Sequence, residues 1–433
     1  MSAATSEIFD DLLANLKVGD ASTTIAARRD EITKALNKDF RAQEGSTDHK
    51  LMVGSYGRHT AIRGISDLDM IYVLPAGLRE TYDSETGPRR VLNRVRDTLK
   101  ARYPNTEIRV DQCVVRVQFS SNKFKFEVQP AFENGDDSFD YPDTLAESWK
   151  ATKPRDEISE TRDCNVRTSN NMRRLARMAR AWKNTNGVNM GGLLIDTLVH
   201  RFFANTGDYD TAGTGLYDLM ARDFFQSLAD EPDQDYYLAL GSKQQVKVKA
   251  RFQPKAKKAY NRCLDAIANE GKAAANKKWR EVFGNSVPLK AAESKFSFKD
   301  TEEFIENRFP VDISETLSIN CQVTQNGWRP AYLRDMLRNK SLLLPNKDLN
   351  FTMTDCSVPR PYQVKWKVRN RGDEAERRDE IRGQLIDSNL PNEGRHEHTQ
   401  FRGEHLVECY IVKDGIVVAR DSIVVPISST SIP

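Results

Sequence analysis

Two neighbouring stretches decide how this chain is read: Gly54-Ser55-Tyr56-Gly57-Arg58-His59-Thr60-Ala61-Ile62 and Ser66-Asp67-Leu68-Asp69-Met70-Ile71-Tyr72-Val73. Gly54 has no Cβ, so the backbone there can approach a ligand closely, and Ser55 adds a hydroxyl and its own N–H. A helix opening at Tyr56 would present free N–H groups to an anion such as a triphosphate. The run 68–74, ending before Pro75, reads as a strand, and Asp67 and Asp69, two residues apart, share one of its faces. Two carboxylates brought together repel. A divalent cation between them relieves that cost, and hard oxygen ligands suit Mg²⁺. Two such ions can hold the attacking and leaving oxygens of an in-line displacement at phosphorus.

Such chemistry calls for a third acid on a neighbouring strand. Strands are expected over about 107–119 and 123–130, joined at Ser-Ser-Asn as a hairpin. In the second, Phe124, Phe126 and Val128 alternate with polar residues, so Glu127 faces away from the apolar side. Glu127 is the candidate third metal ligand and a candidate base.

Taken together, GSYGRHTAI, SDLD and EVQPAF resemble nucleotidyltransferases of the polymerase-beta type. Among these, they are similar to the bacterial second-messenger synthetases related to cyclic GMP-AMP synthase and oligoadenylate synthetase, the synthetases of anti-phage signalling systems. That subgroup is marked by Gly-Ser, a DxD strand and an acid shortly before Pro-Ala. The resemblance implies catalytic and metal-binding roles for Asp67, Asp69 and Glu127, and triphosphate contact by Gly54 and Ser55. The third acid is often Asp in these enzymes; Glu127 is longer and still reaches a metal. The implied cofactor is a pair of Mg²⁺ ions, with Mn²⁺ as a substitute. ATP or other nucleoside triphosphates are the implied substrates, and a cyclic di- or trinucleotide is the implied product, read by a separate effector protein.

The likeness continues beyond the acids. Residues 171–183 resemble the helix that in this family sets a lysine against the nucleotide phosphates, which implies substrate binding by Lys183. The alternative for Lys183 is a surface lysine covering apolar area with its stem. Arg173, Arg177 and Arg180 share a helical face and would either line the cleft or lie in solvent. The next helix has Gly191-Gly192 where relatives carry a serine and an aromatic residue. The last section, with Pro361–Val368, Ile381-Arg382-Gly383 and Arg402-Gly403-Glu404-His405, resembles the accessory sensor domain of some of these synthetases, which implies an activating ligand there.

The implied fold is α/β: a polymerase-beta-like core with a mixed sheet over residues 1–160, a helical lobe over 161–290, and a β-rich α+β domain over 300–433. The periodicity agrees. Helices are expected over 5–18, 22–40, 88–102, 168–184, 191–204, 215–228 and 254–282, and strands over 364–368, 405–412 and 415–427, with a turn at Asp414-Gly415. Pro288 and the polar residues 289–300 mark a boundary.

Composition fits a soluble multidomain protein. Of 433 residues, 39% are apolar and 29% charged, and 65 basic residues against 62 acidic ones leave a net charge of +3. Near-balance gives no global argument for nucleic-acid binding. The densest local basic run, Lys243 to Lys258, reads as an exposed face, with a positive groove for nucleotide or nucleic acid as the alternative. The six cysteines show no CxxC pair and fit a reducing cytoplasm. His396, His398, His405 and Cys409 lack zinc-type spacing, and zinc is not expected. No apolar run reaches membrane-spanning length, and residues 1–20 lack a signal-peptide core, so a cytoplasmic protein is expected. Two rivals share these features: a transferase acting on RNA ends or on protein, and a catalytically silent nucleotide-sensing module.

Overall fold

The computed structural model describes residues 3–19, 21–119, 124–289, 301–324 and 329–428. The chain forms two compact units, Met1–Trp182 with Met190–Pro288, and Lys183–Asn189 with Leu289–Pro433. The expected catalytic and helical lobes thus belong to one unit. The Ser-Ser-Asn turn and residues 290–300 of the expected boundary lie outside the described residues.

In the first unit the strands β1 (Lys50–Met52), β2 (Asp67–Val73), β3 (Glu107–Asp111), β4 (Val114–Gln118) and β5 (Lys125–Glu133) form a mixed sheet in the order β1-β2-β5-β4-β3. Strands β6 (Phe139–Asp143) and β7 (Ser148–Thr152) extend it beyond β5. Only β2 and β5 run parallel. The stretch 107–119 reads as one strand by alternation, yet it turns back on itself at Gln112, whose φ is +46°, so that β3 and β4 pair antiparallel. The apolar positions change phase across this turn, from Ile108 and Val110 to Val115, Val117 and Phe119, a shift that a reading as one strand passes over.

One face of this sheet is the core. Helix α1 spans Ala3–Leu16, α2 Ala21–Arg41, α3 the single turn Gly54–Gly57, and α4 Gly87–Arg102. Ile25, Ile32 and Leu36 of α2 and Val91, Val95 and Leu99 of α4 pack on Leu68, Met70, Phe126 and Val128. Pro88 at the first turn of α4 supplies a preset helical φ where no N–H is needed. With Leu68 and Phe126 buried beneath, Asp67, Asp69 and Glu127 are turned to the other face.

The helical lobe comprises α5 (Pro154–Arg167), α6 (Asn171–Asn186), α7 (Gly192–Asn205), α8 (Tyr217–Asp230), α9 (Gln253–Ala268) and α10 (Ala273–Phe283), with a hairpin of β8 (Tyr236–Leu238) and β9 (Gln245–Lys247). Residues 254–282 are two helices rather than one, broken near Gly271, where φ is +78°. Helix α1 braces this lobe, not the sheet: the Phe9 ring lies 5.0 Å from Trp279 and 6.0 Å from Tyr217. The sheet is braced by α2.

The second unit is two antiparallel sheets on a shared core. One has the order β11-β10-β12-β15, from β10 (Leu317–Thr324), β11 (Ala331–Tyr332), β12 (Asp348–Cys356) and β15 (Arg395–His398). The other has the order β14-β13-β16-β17, from β13 (Gln363–Arg369), β14 (Arg382–Ile386), β16 (Gly403–Lys413) and β17 (Ile416–Ile427). Ile319, Phe351, Trp366, Cys409 and Val425 meet between them. Asp414 and Gly415 have φ of +49° and +75°, the pair of positive angles that a two-residue hairpin turn demands. No helix among the described residues is long and apolar enough to cross a membrane.

Candidate active site

The parallel register of β2 and β5 sets Asp67 beside Lys125 and Asp69 beside Glu127. On the far side of β5, Arg116 of β4 faces Glu127. Because neighbours in register share a face, three carboxylates and two cations project from one surface. Lys125 Nζ lies 3.2 Å from Asp67 Oδ1 and 3.6 Å from Glu127 Oε1. Arg116 Nε donates to Glu127 Oε1 at 3.0 Å, and its Nη1 reaches Asp111 at 2.7 Å. Among the described residues no three or more histidine, cysteine or acidic side chains are gathered as a metal site, and the Lys125 ammonium lies between Asp67 and Glu127.

The turn carrying Gly54 lies against these acids. Gly54 has φ of +61°, and a Cβ built on it would fall 1.8 Å from Asp69 Oδ2. Only glycine permits both the backbone angle and this approach. The Val53 N–H donates to the Asp69 carbonyl at 3.0 Å, and a Cβ on Gly57 would fall 2.3 Å from the Met52 carbonyl, so the turn is seated on β1 and β2. The helix expected at Tyr56 is the single turn α3, too short for a sizeable macrodipole. The acid set fits hard cations: its donors are carboxylate oxygens, an ammonium already stands among them as a substitute cation, and the missing Cβ of Gly54 leaves room at Asp69.

Behind the turn is a buried ion cluster that the periodicity did not flag. Arg58, 4% exposed, gives Nε to Asp196 Oδ2 at 2.8 Å and Nη1 to Glu157 Oε2 at 3.1 Å. Arg180 makes a fork onto Asp196 at 2.6 and 2.8 Å, and Thr60 Oγ1 donates to it at 2.9 Å. Burial alone would raise the Asp196 pKa, but Arg180 and Arg58 hold it below the usual carboxylate range. At Glu157 burial outweighs Arg58 and the pKa is raised. Arg173 and Arg177, which the sequence left either in the cleft or in solvent, instead donate to the carbonyls of Arg58 and His59 at 3.1 and 3.0 Å. Burial and neighbouring arginines lower the pKa of both. A signal for the cluster did exist: Asp196 is the one charged residue in the largely apolar run Gly192–Val199.

Lys183 has a carboxylate partner. It belongs to the second unit, where its ammonium lies 2.6 Å from Asp312 Oδ1, and the adjacent Asn184 donates to the Val311 carbonyl at 2.7 Å. His396 and His398 both reach Asp348, at 3.3 and 3.0 Å, while Cys409 is buried in the sandwich core. The residues of the basic run in β9, Gln245–Lys247, lie on the exposed hairpin.

Residues 1–165 match the family model of the Second Messenger Oligonucleotide or Dinucleotide Synthetase domain, and residues 299–428 match that of the Adenylyl/Guanylyl and SMODS C-terminal sensor domain. A probable cyclic nucleotide synthase of Bacillus cereus (strain VD146) is 22% identical over 183 residues, which cover 35% of this chain and 55% of that protein. The chain thus spans about half the length of that curated relative. Among solved structures, Escherichia coli MS115-1 CdnC with ATP is 16% identical, covering 66% of this chain and 99% of its own, with a TM-score of 0.48. Vibrio cholerae DncV cyclic AMP-GMP synthase with a linear intermediate is 13% identical, covering 66% and 87%, with a TM-score of 0.45. The chain thus carries a match to a Second Messenger Oligonucleotide or Dinucleotide Synthetase domain over residues 1–165 and one to an Adenylyl/Guanylyl and SMODS C-terminal sensor domain over residues 299–428.

Proposed function

We propose that this protein joins nucleoside triphosphates, with release of pyrophosphate, into a cyclic di- or trinucleotide that a separate effector protein reads in anti-phage defence. The observation that carries the reading is the register of Asp67, Asp69 and Glu127 on adjacent parallel strands, with Gly54 packed on Asp69. Asp67, Asp69 and Glu127 are the residues to hold two Mg²⁺ ions, which when bound neutralise phosphate charge and acidify the attacking hydroxyl. Gly54 and Ser55 bring their backbone to the donor triphosphate. Glu127 takes up the proton of the acceptor hydroxyl. The buried Arg58–Asp196–Arg180 cluster keeps the Gly54–Thr60 turn in place, so that positioning is prepaid before substrate arrives.

The test is to incubate the protein with labelled ATP, GTP, CTP and UTP and Mg²⁺ or Mn²⁺, treat with phosphatase, and resolve the products, with an Asp67→Ala, Asp69→Ala double variant alongside. Small phosphatase-resistant products absent from the variant are expected. Extension of an added RNA or labelling of protein would instead favour a transferase acting on those ends. Absence of any pyrophosphate release, also with RNA or phage-infected lysate added, would favour a silent module.

Gly54→Ala offers a sharper check on the turn. Its methyl group has no room at Asp69 and the residue must keep a left-handed φ, so turn or acid shifts by an ångström or more. Product formation is expected to fall about a hundredfold, since misplacement on that scale costs this much. Initial rates at saturating triphosphate read the loss, and circular dichroism would check that the fold is retained.

A further inference from the structure

The two sheets of the sensor domain do not close fully at one end. A cavity of about 550 Å³ lies there, floored by Phe351, Val407, Val425 and Ile427. That volume is in the range of small-molecule sites. The side chains entering it break the alternation that a sandwich core requires. In the pairing of β12 with β15, Leu349 stands opposite Glu397 and Phe351 opposite Arg395. Leu349 and Phe351 belong to the core, so Arg395 and Glu397 point inward with them, where an apolar pair would be expected. Their side chains are 16% and 13% exposed. Charges turned into a sandwich interior cost desolvation and add little to packing, and such a break in local rules marks functional positions.

Two guanidiniums and two carboxylates line the cavity, and of the carboxylates only Glu397 is turned inward. Glu397 accepts from Arg395 Nε at 2.8 Å and from Arg382 Nη1 at 2.8 Å, so two guanidiniums share one inward carboxylate. Glu380 also lines the cavity but is exposed to water, which screens it. Arg382 holds a φ of +57°, an angle that non-glycine residues adopt at a cost and that here aims its side chain at Glu397. Guanidiniums bind phosphate in a forked geometry. On the wall, Phe401 meets the His405 ring edge to face at 5.2 Å. His405 is buried; burial lowers its pKa, and its ring nitrogens are engaged by the Arg371 N–H at 3.3 Å and the Phe401 carbonyl at 3.2 Å. It therefore acts as a neutral, fixed part of the wall. Arg382 and His405, which the sequence singled out as landmarks of the domain, thus line the same cavity.

We infer that this cavity is a binding site for a small phosphorylated ring compound of nucleoside monophosphate size, its phosphate on Arg382 and Arg395 and its ring against Phe401. The site lies wholly within the second unit and is independent of the catalytic reading.

The test uses the full chain in EDTA, which removes metal-dependent triphosphate binding, and titrates AMP, adenosine and ribose 5-phosphate by calorimetry. AMP is expected to bind at one site, at least about tenfold more tightly than adenosine or ribose 5-phosphate, since each of these lacks one of the two recognition elements. Arg382→Ala and Arg395→Lys are each expected to weaken AMP about tenfold or more, whereas Asp67→Ala leaves its affinity unchanged. The Arg382 side chain is 40% exposed, so its removal is compatible with folding, and the retained charge of Arg395→Lys keeps Glu397 paired. Absence of saturable AMP binding, equal binding of all three probes, or AMP affinity unmoved by both arginine variants would overturn the assignment.

Discussion

Asp69→Ala is expected to lower nucleotide joining by more than about a thousandfold while leaving the protein folded. The size follows from the position. Asp69 is beside Glu127 in the sheet and in contact range of the Gly54 turn, so one carboxylate serves both the proposed metal pair and the proposed phosphate-binding turn. Losing one preorganised charge-stabilising group in such a site costs about a hundred- to a thousandfold, and here two contributions go together. Stability is expected to change by less than about 1 kcal/mol, because removing one of several clustered carboxylates relieves repulsion that partly offsets the lost contacts. Asp67→Ala is expected to behave alike. Single-turnover product formation, read with urea midpoints for each variant, separates the two effects; a rate within tenfold of the parent protein would reject the metal-site assignment.

Asp196→Ala is expected to do the reverse in order of cause, destabilising the first unit by about 3–5 kcal/mol and losing activity as a consequence. Asp196 is fully buried and answers two guanidiniums, Arg58 and Arg180, that are themselves buried at 4% and 6% exposure. Its removal leaves two charges in the interior with only Glu157 beside Arg58. Asp196→Asn keeps the shape and should recover part of the packing but not the charge balance. The pH dependence has a definite sign. The folded pKa of Asp196 lies below its ordinary value of 3.8, so its contribution is present above that value and is lost as pH falls through the folded pKa. The variant should therefore show a flatter loss of stability below about pH 4 than the parent protein. Chemical denaturation at pH 7 and pH 3 measures both, and equal stability of variant and parent at pH 7 would show the cluster to be dispensable.

These two residues mark how far a linear reading reaches. Asp69 was legible because its evidence is local: a glycine-serine turn, a DxD spacing and an apolar alternation fall within twenty residues. Alternation also placed Glu127 on the outward face of its strand, and the structure sets it beside Asp69. Asp196 was not legible as a partner of Arg58, because the two are 138 residues apart and neither helix periodicity nor spacing carries that information. The strand break at Gln112 and the helix break at Gly271 were missed for a different reason: each is a local turn of the backbone, with φ of +46° and +78°, and the break in the apolar pattern beside it was read through.

Sequence alone determined the helices α1, α2, α4 and α6 to α8, the strands β2, β5, β13, β16 and β17, which face of β2 and β5 carries the acids, and the Asp414-Gly415 turn, since each is set by side-chain period or by the φ that a residue tolerates. Only the tertiary structure decided what those residues meet. It gave Lys183 to Asp312, turned Arg173 and Arg177 onto the carbonyls behind the Gly54 turn, and aimed Arg395 and Glu397 into the sandwich. A charged side chain on a helix or strand has the same local signature in solvent, in a cleft or in an ion pair. Its partner depends on how distant segments pack, because burial makes an unpaired charge costly and folding brings the compensating group from elsewhere in the chain.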